Sequence, residues 1–220
     1  MALLLFLLKV VGISLSGALA PGPVTAAAIG MGSGNRFAGV LMALGHGIVE
    51  FPLMVLLLLG VGRLLKLAYV KVIIGLAGGG FLILLAVQMF QGLAGPGAEQ
   101  VQMTGGSPLA TGVLLSVGNP YFLIWWATVG LTLITTAKSA FGLAGFGLMA
   151  VAHWSCDLVW LTALSWASFE GSSLLGPAGQ RVVLAICAAA MLGFGLYFIV
   201  LQAITLKRMS YKVSSDVAQQ

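Results

Sequence analysis

The chain has 220 residues, 60% of them hydrophobic and 7% charged, with a formal net charge of +5 and a mean hydropathy of +1.11. A soluble domain carries about 25% charged residues, so this composition excludes a water-soluble globule and places the chain in lipid. The ten Lys and Arg stand singly at the ends of apolar segments, without the stripe and interleaved aromatics of a nucleic-acid binder; no nucleic-acid partner is expected.

The opening MALLLFLLKVVGISLSGALA imitates a signal peptide at Ala18-Leu19-Ala20 but lacks a basic n-region, and Lys9 interrupts its apolar part. It is read as a retained transmembrane segment with Lys9 snorkelling to the nearer surface. Apolar runs long enough to cross about 30 Å of hydrocarbon fall at 3–31, 37–60, 70–92, 109–136, 140–165 and 182–206. The polar, Gly/Pro-rich stretch from Gln91 to Pro108 divides them three and three. The expected organisation is therefore a first three-helix repeat at 1–92, a connecting loop at 93–108, a second repeat at 109–206 and a cytoplasmic tail at 207–220.

Three features recur in order in the two halves: Pro23 and Pro120, the pairs His46/Glu50 and His153/Asp157, and Gln88 and Gln202, at offsets of 97, 107 and 114. Each half has an odd number of spans, so the second enters the membrane the opposite way up. The fold class is thus an all-α membrane protein of six transmembrane helices, two inverted three-helix repeats each with a broken first helix. Such symmetry points to a secondary transporter with its site near the midplane.

Within the broken helices, Gly22-Pro23 and Asn119-Pro120 both read as a cap residue followed by proline at the first helical position, where proline costs almost nothing. Each span stops there and restarts, and both restarts are expected to expose N–H groups and a positive dipole end suited to a carboxylate. The candidate substrate-binding residues are Gly22, Pro23, Val24, Thr25 and Ala26 in one half, with Asn119, Pro120, Tyr121 and Phe122 in the other.

Glu50 and Asp157 lie near the middle of apolar spans, where an ionised carboxylate costs roughly 2.5–3.5 kcal/mol. His46 and His153 each precede an acid by four residues, so each pair shares a helix face. These four residues are candidates for receiving a substrate ammonium or a coupling cation, the histidines titrating near neutral pH. Pro52 follows Glu50 and bends span two.

Arg63, Lys66, Lys71, Lys138, Lys207, Arg208 and Lys212 fall on one side of the six-span scheme, against Arg36 and Arg181 on the other, which places both termini in the cytoplasm. GLAGGG (75–80), FGLAGFG (141–147) and GFG (193–195) are expected to permit close helix packing. Cys156 and Cys187 form no CxxC pair or spaced framework, so neither a disulfide scaffold nor a cysteine zinc site is supported, and a thiol–disulfide electron carrier lacks its close cysteine pair. GxSxG, HExxH and a Walker loop are all missing. Neither enzymatic activity nor a cofactor is expected.

The stretch APGPVTAAAIGMGSGNRFAGVLMALGHGIVE resembles the first block of the lysine exporter (LysE/RhtB) family of amino-acid exporters, and LLSVGNPYFLIWWATVGLTL resembles its second. The resemblance implies a multi-pass inner-membrane protein that exports an amino acid or related small metabolite under a cation gradient. Its motif falls here on Pro21, Gly22, Pro23, Asn119 and Pro120, with Glu50 at the acidic position of span two. His46 and His153 depart from many relatives, and relatives in the wider superfamily move metal cations. The alternative is therefore a divalent-metal exporter using His46, Glu50, His153 and Asp157, a ligand set suited to several first-row metals. The expected partners are a small-molecule substrate and the lipid bilayer, with homo-oligomerisation left open.

Overall fold

The computed structural model describes residues 1–19, 22–60, 67–94 and 107–217, and every regular element among them is helical. Helices α1 (Ala2–Ala18) and α2 (Pro23–Gly32) meet at 78°. Pro23 offers no N–H and would clash with the carbonyl four residues earlier if α1 continued. Instead Gly22 is extended, with φ −162° and ψ −177°, and α2 restarts with proline in its first turn.

A short turn, in which Asn35 Oδ1 accepts the Phe37 N–H at 3.0 Å, leads into α3 (Ala38–Leu58), which carries Pro52 inside it. Helix α4 is Ala68–Ala94 and α5 is Pro108–Val117. The second break, at Gly118-Asn119, precedes α6 (Pro120–Trp125), which widens into a π-helical turn, Trp126–Gly130, and continues as α7 (Leu131–Val217). Helix α7 is not straight. Gly142 (φ 67°) and Gly176 (φ 62°) adopt a conformation open mainly to glycine and cut it into three segments.

Four stretches are long and apolar enough to cross a membrane: Ala38–Leu58, Ala68–Gln91, Tyr121–Ser172 and Arg181–Met209. The bent α1–α2 pair makes a fifth. The protein is thus an all-helical, multi-pass membrane protein. Much of the expected 93–108 connection, with Pro21, Arg63 and Lys66, lies outside the described residues. The expected tail at 207–220 begins as a continuation of α7.

Close helix approach rests on glycine, because in lipid contact rather than water exclusion holds helices together. A Cβ on Gly39 of α3 would run into the Leu161 carbonyl and the Ser165 hydroxyl of α7; one on Gly45 would meet Leu109 of α5, and one on Gly112 would meet Met42. Gly79 of α4 and Gly195 of α7 face each other, so GLAGGG and GFG do pack together. FGLAGFG instead supplies the turn at Gly142. Gln202 is buried with its side chain against Gly75, whereas Gln88 is exposed.

Two apolar cores result. One joins Ala26, Ala27, Ala28 and Met31 of α2 to Met42, Leu161 and Met191. The other joins Val10 of α1 to Met54, Phe122, Trp125, Trp126 and Met149. Residues from both line a single cavity.

Candidate functional site

The cavity holds about 320 Å³ and is walled by the end of α1, the start of α2, the middle of α3, the α5–α6 break and the second and third segments of α7. Its floor chemistry centres on Glu50, which is 0% exposed. Glu50 Oε1 is 3.2 Å from each of three nitrogens: His46 Nε2, one turn earlier on α3, His153 Nε2 on α7, and the indole Nε1 of Trp126. The π-helical turn presents that indole, and a Cβ on Gly130 would collide with its ring; such turns recur at functional sites. Glu50 Oε2 is buried and has no hydrogen-bond partner among the described residues.

Each imidazole is held from behind by a serine of the opposite half. His46 Nδ1 lies 2.6 Å from Ser116 Oγ, and His153 Nδ1 lies 2.7 Å from Ser14 Oγ. Ser116 also donates to the Gly112 carbonyl at 2.5 Å. Having one hydroxyl proton, its oxygen then accepts from His46 Nδ1–H, a tautomer assigned from the network. A further proton must lie between His46 Nε2 and Glu50 Oε1, on one atom or the other. The cluster Ser14–His153–Glu50–His46–Ser116 therefore joins four helices and holds a proton at its centre.

Asp157 stands beside this cluster. Its Oδ2 is 3.5 Å from His153 Nε2, an ion-pair distance, but makes no hydrogen bond among the described residues. That distance is long for a hydrogen bond and leaves a charge contact. His153 thus faces two acids, nearer to Glu50.

The two helix restarts differ. At α2 the cap residue is Gly22, which has no side chain to offer, and no side-chain cap is made. Val24 and Thr25 line the cavity there. The Ala26 N–H is bonded to the Gly22 carbonyl at 3.0 Å, and Ala26 sits in the apolar core rather than at the cavity. At the other restart Asn119 Oδ1 accepts the N–H groups of Tyr121 (3.0 Å) and Phe122 (3.4 Å). The expectation of exposed donors at both restarts is corrected here: Asn119 occupies its own helix end. Asn119→Ala should lower stability by about 1 kcal/mol, within the 0.5–2 kcal/mol range for a lost cap, with Asn119→Asp close to the parent, as a thermal unfolding series in detergent would measure.

Of the residues singled out from sequence, Gly22, Pro23, Val24, Thr25, Tyr121 and Asn119 line the same cavity as His46, Glu50, His153 and Asp157; Ala26 does not, and the Pro120 side chain is not described. Sequence reading did not single out Ser14, Ser116 or Trp126, which carry no motif. It paired each histidine with the acid four residues on, and set all four together as a metal alternative. They are instead joined through Glu50.

His46, Glu50 and Asp157 each offer a ligand atom, all within 4.8 Å of one another. The three 3.2 Å contacts converge on an oxygen atom of Glu50, however, so the centre of the donor set is an acceptor and not a space. One of its three donors is an indole N–H, which ligates no metal. Cys156 and Cys187 are both free thiols on separate segments of α7.

The family described as LysE type translocator matches residues 15–202, which include every site residue above except Ser14. No curated protein and no solved structure matches the chain. The chain belongs to the LysE type translocator family, whose members are transporters and not enzymes. It is a membrane exporter of amino acids or related compounds.

Proposed function

We propose that this LysE type translocator carries one amino acid at a time, its carboxylate at the first turn of α2 and its ammonium between Glu50 and Asp157. The observation that carries the reading is Glu50, a cavity-lining residue whose buried Oε2 has no hydrogen-bond partner among the described residues. A buried acid left with an open oxygen is costly, and an ammonium supplies the missing hydrogen bond and charge. At α2, Gly22 and Pro23 open the helix, and the dipole with the Val24 and Thr25 amides favours an anion. About 320 Å³ is at the small end of ligand sites, which begin near 300 Å³; it suits a single amino acid rather than a peptide.

His46, His153, Glu50 and Asp157 also form the coupling site. The proton between His46 and Glu50 Oε1 sits on the same carboxylate whose Oε2 receives the ammonium, so binding the one disfavours keeping the other, which is the exchange that proton-driven export needs. Asn119 shapes the opposite wall, with Tyr121 beside it. The six-span, inverted-repeat reading is supported by the Gly142 turn inside Tyr121–Ser172 and by the reciprocal Ser14–His153 and Ser116–His46 bonds. With six spans the basic residues put both termini in the cytoplasm of an inner membrane.

The test is counterflow in proteoliposomes with a panel of labelled amino acids, with and without an imposed proton gradient. At least one amino acid should move above the rate of protein-free vesicles, faster with the gradient. Movement of divalent metal ions and of no amino acid would overturn the reading in favour of a metal exporter.

A further inference from the structure

We propose that the transported compound is a neutral amino acid with an apolar side chain, branched or aromatic, and that lysine, arginine and the acidic amino acids are excluded. This rests on the amino-acid reading above.

Charge comes first. Oxygens of Glu50 and Asp157 approach within 4.8 Å, so the two acids act on one cation. The two ammonium groups of lysine lie a whole side chain apart and cannot share this place. Among the described residues lining the cavity there is no lysine or arginine, and His46 and His153 are both turned to Glu50, so a substrate carboxylate beyond the one at α2 meets no uncommitted cation there.

The apolar part of the wall includes Val24, Phe122, Trp125, Leu161, Phe194 and Phe198, which come from both apolar cores, with Tyr121 and Tyr197 beside them. Aromatic faces can hold a second cation, but those nearest the charged cluster are already engaged. Phe122 meets the His46 ring at a centroid distance of 4.8 Å, while Trp125 and Trp126 flank His153 at 5.0 and 4.8 Å. Two of the polar groups at this level are committed as well: the Ser116 hydroxyl to His46 and Gly112, and Asn119 Oδ1 to two amides. A side chain that leaves the ammonium site therefore enters a surface that repays apolar area and penalises charge.

The third segment of α7 supplies Phe194 and Phe198 without any contact to the charged cluster among the bonds described, so it sets side-chain selectivity apart from charge recognition. The experiment is counterflow of labelled leucine, phenylalanine, alanine, lysine and glutamate in proteoliposomes of the full chain, for the parent and for Phe194→Ala and Phe198→Ala. Leucine or phenylalanine should exceed lysine and glutamate at least tenfold. Each variant should lower the phenylalanine-to-alanine ratio by about tenfold, the lower end of hydrophobic-pocket discrimination, with a monodisperse elution profile in detergent reporting an intact fold. Equal or faster lysine or glutamate transport would overturn the substrate class and leave amino-acid export standing. An unchanged ratio in both variants would overturn the assignment of the apolar wall. Failure of all five amino acids to move would count against the amino-acid reading itself.

Discussion

Glu50→Gln is expected to lower amino-acid transport about 10- to 100-fold while leaving the protein folded. The amide keeps an oxygen that can accept from His46, His153 and Trp126, all now 3.2 Å from Oε1, so the network loses charge but not shape. What disappears is the open carboxylate oxygen, Oε2. A hydrogen bond to a charged group contributes about 1.5–3 kcal/mol, and each 1.4 kcal/mol is roughly tenfold, which sets the range. Asp157→Asn should cost less, because Asp157 is partly exposed and makes a single, longer contact with His153. Initial efflux rates of the parent and both variants, at matched amounts of monodisperse protein, give the comparison. If both variants transported as the parent does, the acids would have no part in substrate handling.

Gly39→Val is expected to have the larger effect on stability. Gly39 faces the Leu161 backbone and the Ser165 side chain, at a crossing also tied by Ser165 Oγ to the Arg36 carbonyl (2.8 Å) and Ser168 Oγ to the Ile29 carbonyl (2.7 Å). A backbone neighbour cannot rotate aside, so α3 and α7 must separate. Overpacking costs about 1–3 kcal/mol, and the same separation would move His46 and Glu50 away from His153. The variant should therefore lose both thermal stability and transport. Gly12→Ala and Gly147→Ala, where an added Cβ meets nothing within 4 Å, should stay close to the parent. Equal thermal midpoints for Gly39→Val and Gly12→Ala would show that the crossing tolerates extra volume.

The two helix breaks were legible because proline acts on its own turn: Pro23 and Pro120 each begin a helix at the position expected. Their consequences were only half legible. Asparagine was recognisable as a cap, but that its oxygen would satisfy two amides and leave only the α2 end without a side-chain cap depends on a rotamer. The His46–Glu50 spacing foretold the 3.2 Å contact within α3. The matching spacing of His153 and Asp157 did not foretell that His153 would lean toward Glu50.

Composition and local chemistry by themselves determined that this protein lives in lipid, is built of apolar helices, breaks two of them at proline and carries acids and histidines at membrane depth. These are properties of a residue and its near neighbours, where backbone sterics and solvation are decisive. Packing alone decided that the Glu50 carboxylate also gathers donors 76 and 103 positions away, and that Ser14 supports a histidine 139 positions on. Those contacts exist because glycine-lined crossings bring backbones together, and no periodicity along the chain records which crossing meets which.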